Sequence, residues 1–264
     1  MNKTLTRIVT NIMDKIGYKI IPKWRWNNYE LATHTRDIFE LLKINCVLDV
    51  GANKGQYGNF LRTHVGYSGQ IFSFEPVKKI YDKLLLSSKL DPLWEVFPFA
   101  FGSKNGSFPI NITKHHTLNS FLTPEITGLT FNKQFHLDDF NSVVHSETVK
   151  MKKIDSFFEE DLLIDLKKSR IFMKLDTQGY DNFVIEGAKN SISEICAIQS
   201  EISCIHIYQG MEEYFQSIEN FKNYGFDVTG MFPVNRDQWF RVVEFDFLAI
   251  NRNKVVGNQS YERP

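Results

Sequence analysis

The sequence predicts an α/β fold: a doubly wound, Rossmann-like, mostly parallel sheet of seven strands with an antiparallel closing strand. Short apolar runs typical of buried parallel strands recur at 46–50, 70–74 and 170–175. Segments with helical spacing of apolar residues separate these runs, as in βαβ units. A glycine-rich turn follows the first run, so we expect a ligand at the carboxyl ends of the strands.

Length and composition limit the organisation of the chain. With 264 residues it can form one α/β domain with additions, and 23 Phe predict a phenylalanine-rich core. We expect a helical extension over 1–43, a ligand-binding domain over 44–252 with an insert or lid at about 103–150, and a polar tail over 253–264. The net charge of zero gives no general field for nucleic acid. Three cysteines without a CxxC pair indicate a reduced, cytoplasmic protein without a zinc site.

The N-terminal segment is basic. Within residues 1–26, six cationic side chains face a single acid, and apolar residues over 4–20 follow helical spacing. The first interpretation is an amphipathic helix that packs on the domain or on a second copy in a homo-oligomer. The alternative is a peripheral contact with the inner face of an anionic membrane, which Trp24 and Trp26 support. No apolar stretch approaches the length of a membrane span or of a signal peptide.

The remaining elements follow in order along the chain. Longer helices are predicted at 29–43, 77–90 and 211–224, and short helices after 154 and 180. Further strands are predicted at 94–99, 107–112, 147–153, 197–202, 226–231 and 242–251. Residues 113–145 contain no clear pattern. A segment of this length inside a domain is usually functional, so we expect a lid or binding loop that orders on ligand binding.

The turn after the first strand has the pattern Gly51-x-x-x-Gly55-x-x-Gly58, which differs from the dinucleotide pattern G-x-G-x-x-G. Glu75 ends the second strand, where a carboxylate can accept hydrogen bonds from both ribose hydroxyls of NAD or of S-adenosylmethionine (SAM). Asp49 disfavours a pyrophosphate near the helix N-terminus, whereas it can help to bind an ammonium group. It can also be a buried acid that caps the loop amides. The set favours SAM.

These residues carry a family resemblance. The run Val47-Leu48-Asp49-Val50-Gly51-Ala52-Asn53-Lys54-Gly55 resembles motif I of class I SAM-dependent methyltransferases, and specifically of the FkbM-type family. Further segments are similar to the family's landmarks from about 45 to 250, and Asp181 stands in place of the usual Glu. These segments are Phe74-Glu75-Pro76, Ala100-Phe101-Gly102, Ile154-Asp155, Lys174-Leu175-Asp176-Thr177-Gln178-Gly179-Tyr180-Asp181, Gln199-Ser200-Glu201 and Phe245-Asp246-Phe247.

The resemblance implies methyl transfer from SAM to a hydroxyl, commonly on a sugar of a glycan or on a polyketide-like product, as in polysaccharide biosynthesis. Two alternatives remain open: a nicotinamide-dependent oxidoreductase, and a non-catalytic binding subunit with the methyltransferase fold. The cofactor-binding set predicted from these motifs comprises Asp49, Gly51, Asn53, Gly55, Tyr57, Glu75, Pro76 and Ala100.

A sulfonium methyl group is already activated, so the protein must align the acceptor and remove its proton. Asp176, at the end of the central strand, is the first candidate base, and Glu201 and His206 follow the next strand. Candidate acceptor contacts in the long loop are His115, His116 and Ser120.

A divalent cation held by Asp176 with Asp181 or Glu201 is an alternative, because carboxylates that end neighbouring strands suit a hard cation. Asp176 and Asp181 lie across a strand-to-helix turn and need not converge. No residue is therefore predicted as a metal ligand.

Overall fold

A computed structural model describes residues 13, 15–125, 143–160, 166 and 168–255. Most of the predicted basic helix over 4–20 lies outside these residues, as do 126–142 of the predicted loop and 256–264 of the tail. Within the described residues, none of the helices is both long and apolar enough to cross a lipid bilayer.

In the part of the chain that the structure describes, ten strands form two sheets. They are β1 (Cys46–Val50), β2 (Gln70–Phe74), β3 (Trp94–Phe97), β4 (Ala100–Phe101), β5 (Gly106–Thr113), β6 (Val143–Lys152), β7 (Ile171–Leu175), β8 (Ile195–Ser203), β9 (Phe226–Arg236) and β10 (Val242–Asn251). The main sheet has seven strands in the order β3-β2-β1-β7-β8-β10-β9. Strands β1, β2, β3, β7 and β8 pair in parallel, and β10 runs antiparallel to both β8 and β9. The prediction of a mostly parallel seven-stranded sheet is confirmed.

Helices lie between the strands. They are α1 (Tyr29–Leu42), α2 (Gln56–Phe60), which one π turn extends over Leu61–Val65, α3 (Lys78–Ser88), α4 (Ile154–Glu160), α5 (Asp181–Glu186) and α6 (Tyr214–Asn223). The helix predicted from 211 begins later, at Tyr214, because Glu213 and Gln216 form a capping box at that point. The other predicted helices are found close to their predicted bounds.

A phenylalanine cluster joins the two sheets. The ring centroid of Phe74 lies 4.4 Å from that of Phe101 and 5.1 Å from that of Phe157, and Phe97 and Phe99 complete the group. Phe74, Phe101 and Phe157 are fully buried. Because Phe74 ends β2 and Phe101 belongs to β4, this packing holds the ends of both strands in place.

The small sheet has the order β4-β6-β5, with β5 and β6 antiparallel. The expectation that an irregular segment reaches residue 145 is wrong, since β6 already begins at Val143. Its first four residues are exposed, so they show no alternation of apolar and polar residues, and backbone pairing with β5 holds them. From β5 the chain returns over the main sheet as residues 114–125, here called the strap, with bridges from Ser120 to Asn111 and from Pro124 to Tyr208.

Candidate active site

A cavity of about 430 Å³ lies at the carboxyl ends of the parallel strands and is bordered by the strap. Ligands of doubly wound sheets bind at this edge, and the volume lies within the range of small-molecule sites. The lining divides into two ends. Glu75, Pro76, Ala100 and Phe101 line the first end, and Asp176, Gln178, Glu201, Asn235, Arg236 and Glu244 line the second.

The three glycines after β1 serve different contacts. Gly51 has a φ of +81°, and a Cβ there would lie 2.1 Å from the carbonyl oxygen of Asp176. At Gly58 a Cβ would lie 2.1 Å from the ring of Trp94, and at Gly55 it would lie 3.0 Å from the same ring. Gly51 lines the cavity, whereas Gly55 and Gly58 do not. The structure therefore does not support the prediction that Gly55 contacts the cofactor, since Gly55 and Gly58 make room for Trp94.

Glu75 follows β2 at the first end of the cavity. Its side chain is buried, and its carboxylate accepts hydrogen bonds from the backbone N–H groups of Asn53 at 3.1 Å and Val77 at 2.9 Å. Burial raises the pKa of Glu75 to about 7, although these hydrogen bonds oppose the shift. Pro76 and Ala100 lie on the same part of the wall. This places a fixed acceptor where a ligand hydroxyl can reach it.

Asp49 lies below the cavity and does not line it. It is fully buried and accepts a hydrogen bond at 2.8 Å from Ser73 Oγ, which accepts one from Trp94 Nε1. Its Oδ1 has no hydrogen-bond partner among the described residues. Burial raises the pKa of Asp49 to about 6, against the opposing charge of Lys174. The structure gives no direct route to the predicted contact between Asp49 and a ligand ammonium group.

Asn53 and Tyr57 both line the cavity. Asn53 has a φ of +49°, and its buried Oδ1 has no hydrogen-bond partner in the described part of the chain. Tyr57 donates to Gln199 Oε1 at 2.7 Å, and the ammonium group of Lys174 lies 5.3 Å from its ring centroid. Asn53, a lining residue, therefore carries a buried acceptor that has no donor among the described residues.

Two carboxylates meet at the second end of the cavity. Lys174 Nζ donates to Asp176 Oδ2 at 2.5 Å, and Gln178 Nε2 donates to Asp176 Oδ1 at 2.9 Å and to Glu201 Oε2 at 3.2 Å. Burial acts to raise the pKa of Asp176, but the charge and hydrogen bond of Lys174 outweigh it, so this pKa is lowered. The negative charge of Asp176, followed by burial, raises the pKa of Glu201 well above its ordinary value. The two acids therefore have different proton affinities.

Strand β10 brings a further carboxylate to the cavity, Glu244. It accepts from Asn235 Nδ2 at 2.9 Å and from Ser203 Oγ at 3.2 Å, and burial raises its pKa. Sequence reasoning missed Glu244, and it missed functions for Lys174 and Gln178. The signal for Glu244 was available: together with Asp246 it interrupts an otherwise apolar strand at alternate positions.

Two of the three strap residues that were predicted to contact the acceptor line the cavity. His116 lines the cavity, its Nε2 bonds to Lys54 Nζ, and burial lowers its pKa. Its Nδ1 is buried and has no partner among the residues described. Ser120 lines the cavity as well, and its Oγ donates to the backbone carbonyl of Gln178 at 2.8 Å. His115 is exposed and does not line the cavity, so the structure does not support it as an acceptor contact.

The structure also corrects the prediction that His206 takes part in catalysis. Its side chain is 49% exposed, its Nε2 lies 2.7 Å from Glu213 Oε1, and it does not line the cavity. The loop after β8 turns His206 outward to the N-terminus of α6, where Glu213 caps the helix. A direct role in catalysis has no structural support.

The residues do not fit the alternative of a divalent cation. Asp181 accepts from the backbone N–H and the hydroxyl of Thr177, and from Ser200 Oγ at 2.6 Å, so its oxygens are occupied. The described residues contain no group of three or more His, Cys, Asp or Glu side chains arranged to hold a metal ion.

The residues at the first end of the cavity do fit SAM. Glu75 presents a carboxylate to the cavity, and Asn53 Oδ1 is a buried acceptor to which no described residue donates. SAM carries ribose hydroxyls and an ammonium group, which are donors of the kind that these two acceptors need. Glu75, Pro76 and Ala100 would hold its nucleoside, and Asn53 its polar remainder.

One comparison with known proteins identifies a family. A family model described as "Methyltransferase FkbM domain" matches residues 49–228, which is more than half of the chain. No curated protein matches the sequence at a significant level.

Three solved structures are among those to which the chain is similar. A methyltransferase FkbM from Methylobacillus flagellatus KT is 13% identical with a TM-score of 0.44, and the match covers 78% of this chain and 43% of that protein. Fibrillarin from Aeropyrum pernix, with natively bound SAM, is 11% identical with a TM-score of 0.45, over 85% and 76% of the two chains. A precorrin-6y C5,15-methyltransferase from Geobacter metallireducens GS-15 is 10% identical with a TM-score of 0.43, over 83% and 87%. The chain thus spans less than half the length of the first of these structures.

Proposed function

The chain belongs to the FkbM methyltransferase family, and we propose that it transfers a methyl group from SAM to a hydroxyl on a sugar of a glycan or glycoconjugate. One observation carries the proposal. The cavity is lined by Glu75, a carboxylate suited to bind ribose hydroxyls. The same cavity is lined by Asp176 and Glu201, two acids whose pKa values are shifted in opposite directions. The first supports cofactor binding, and the second supports removal of a proton from the acceptor.

The first end of the cavity binds SAM and orients it. When bound, SAM supplies a sulfonium methyl group that needs no further activation. Glu75 accepts hydrogen bonds from the ribose hydroxyls, and bonds of this charged type contribute about 1.5–3 kcal/mol each. Orientation of the acceptor against the methyl group can supply roughly 7–11 kcal/mol of the barrier reduction.

The second end of the cavity removes the proton of the acceptor hydroxyl. A sugar hydroxyl is a poor nucleophile, and a positioned base accelerates its reaction by about 10²–10⁴-fold. Lys174 holds Asp176 ionised with a lowered pKa, which makes Asp176 the weaker base. The raised pKa of Glu201 makes its carboxylate the stronger base of the two in those molecules in which it is ionised. We therefore propose that Glu201, rather than the first candidate Asp176, accepts the proton of the hydroxyl.

The acceptor end is rich in hydrogen-bonding side chains, which supports a polyhydroxylated acceptor. Asn235, Arg236 and Glu244 all line it, and their side chains carry both donors and acceptors. A polyketide-like acceptor would require a more apolar wall. The sugar preference therefore rests on the polarity of this end and on the family resemblance.

The two alternative functions find less support. Glu75 would suit the ribose of NAD as well, but the turn lacks the G-x-G-x-x-G pattern that a pyrophosphate requires. A non-catalytic binding subunit would not need two acids with opposite pKa shifts beside the cavity.

Mass spectrometry tests the proposal directly. The purified protein is incubated with methyl-labelled SAM and an extract of glycans from its own host, and the label is expected on a sugar oxygen. The variant Glu201→Gln should lower the transfer rate by about 10²–10⁴-fold. Glu213→Gln, which lies outside the cavity beside His206, is the matched control and should retain the rate. Label on a nitrogen atom only, or full activity of Glu201→Gln, would contradict the proposal.

A further inference from the structure

Gln178 stands in an unusual position at the wall of the cavity. It comes three residues after the end of β7, lines the cavity and has a φ of +55°. A left-handed backbone costs a residue with a side chain roughly 1–2 kcal/mol, and such strain is found where the surroundings enforce it.

The side-chain amide of Gln178 is fully engaged. Its Nε2 donates to Asp176 Oδ1 at 2.9 Å and to Glu201 Oε2 at 3.2 Å. Its Oε1 lies 3.0 Å from the hydroxyl of Tyr208, which is buried and donates to it or to the carbonyl of Leu118. Because the ionised carboxylate of Asp176 can only accept, Nε2 faces the acids and Oε1 faces the tyrosine hydroxyl.

The amide offers one N–H group to each of two carboxylates that would otherwise repel one another. Other charged groups face the pair from neighbouring strands: Lys174 on β7, and Glu244 and Asp246 on β10. Lys174 bonds only to Asp176 of the two acids, whereas Gln178 bonds to both, and the carboxyl groups of Asp176 and Glu201 also lie within hydrogen-bonding reach of each other.

The backbone of Gln178 connects this pair to the strap. Its carbonyl oxygen accepts from Ser120 Oγ at 2.8 Å, and Ser120 is almost fully buried. Tyr208 makes the second connection, through its contact with Leu118 in the strap. The ends of β7 and β8 and the strap therefore meet at a single residue.

We propose that Gln178 is a positioning residue, which holds Asp176 and Glu201 side by side and joins them to the strap, so that Glu201 faces the acceptor. The proposal rests on the proposed function, since it assigns Gln178 a part in the same transfer. Gln178 itself removes no proton. It decides where Glu201 stands and how readily Glu201 ionises.

A proton titration separates this role from general support of the fold. The protein is labelled with [5-¹³C]glutamate, and the resonance of Glu201 is identified by its loss in Glu201→Gln. In ligand-free Gln178→Met the apparent pKa of Glu201 should rise by about one unit, because the ionised carboxylate loses a donor. Gln70→Met is the matched control, since Gln70 also donates to a glutamate, Glu95, but far from the cavity, and it should leave Glu201 unchanged.

Tyr208→Phe provides a second variant, because it removes the hydroxyl that orients the amide while Gln178 remains. A smaller upward shift of the Glu201 pKa is expected in this variant. If Gln178→Met fails to fold, the titration of Tyr208→Phe tests the proposal in its place. An unchanged Glu201 titration in the folded Gln178→Met protein, or otherwise in Tyr208→Phe, would overturn the proposal. Binding of S-adenosylhomocysteine is measured separately on the wild type, so its absence would count against the proposed function while the titration still tests the bridge.

Discussion

Glu75 is a residue at which burial and hydrogen bonding compete. Two backbone N–H groups stabilise its charged form, yet its side chain is only 5% exposed, and its pKa is raised to about 7. In the unfolded chain the carboxyl group would ionise near its ordinary pKa of 4.5. The folded protein therefore binds this proton more tightly than the unfolded chain does.

The variant Glu75→Gln tests this balance. The raised pKa stabilises the wild type fully below about pH 4.5, and this contribution is lost as the pH rises through 7. Because Gln does not ionise, the free energy of unfolding of the variant, relative to the wild type, should increase by up to about 3 kcal/mol between pH 4 and pH 8. Urea unfolding at both pH values measures the difference.

Glu95→Gln is the control for this prediction, because Glu95 is an exposed glutamate on β3. Its effect on the free energy of unfolding should be the same at both pH values. A Glu75→Gln effect that is equally independent of pH would show that Glu75 is not held in its protonated form.

Single residues also show how far the sequence alone could reach. Glu75, Asp176 and Glu201 were predicted because each follows or ends an apolar run, and the carboxyl ends of parallel strands meet at one edge. Glu244 shows in the sequence as an acid within an apolar strand, but its contacts, like those of Gln178, do not follow from that pattern. Their contacts depend on the register between β8 and β10 and on a left-handed turn, and neither is visible in the local pattern.

At the scale of elements, the turn between β1 and α2 depends on Trp94 as much as on its glycines. The indole of Trp94 packs against Gly55 and Gly58, and its Nε1 donates to Ser73 Oγ, which in turn donates to Asp49. A residue on β3 thus sets the position of the turn that borders the cavity. The sequence showed the glycines but not their partner, because the contact joins positions more than thirty residues apart.

The contact between Gly58 and Trp94 predicts a coupled pair of substitutions. In an exposed helix Ala would stabilise this position by about 1 kcal/mol relative to Gly. Here a Cβ would lie 2.1 Å from the indole, so Gly58→Ala should lower the free energy of unfolding by about 1–3 kcal/mol. In a Trp94→Leu background the same change should be neutral or stabilising, as urea unfolding of the double-mutant cycle can measure. Equal losses in both backgrounds would show that the indole does not impose the glycine.

Element boundaries followed the sequence where the apolar period was strong and departed from it elsewhere. Strand β1 was predicted with its observed bounds, since all five of its residues are buried. Strand β6 was predicted to begin too late because its first residues are exposed. Helix α6 begins at its cap, which depends on the side chains of Glu213 and Gln216 rather than on apolar spacing.

At the scale of the whole molecule, the fold brings two functions to one edge of the sheet. The phenylalanine cluster around Phe74 holds the end of β2 against the small sheet, and this places Glu75 beside Ala100. The pairing of β7, β8 and β10 places Asp176, Glu201 and Glu244 at the other end. The strap borders both ends, so cofactor and acceptor would share one enclosed space.

The central claim is that this cavity is a SAM site in which Glu75 holds the ribose. Isothermal titration calorimetry with S-adenosylhomocysteine tests it most directly. The account predicts saturable binding to the wild type, at least tenfold weaker binding to Glu75→Ala, equivalent to about 1.4 kcal/mol or more, and no binding of NADH. Absence of S-adenosylhomocysteine binding, an affinity that Glu75→Ala leaves unchanged, or saturable binding of NADH in its place would contradict the account.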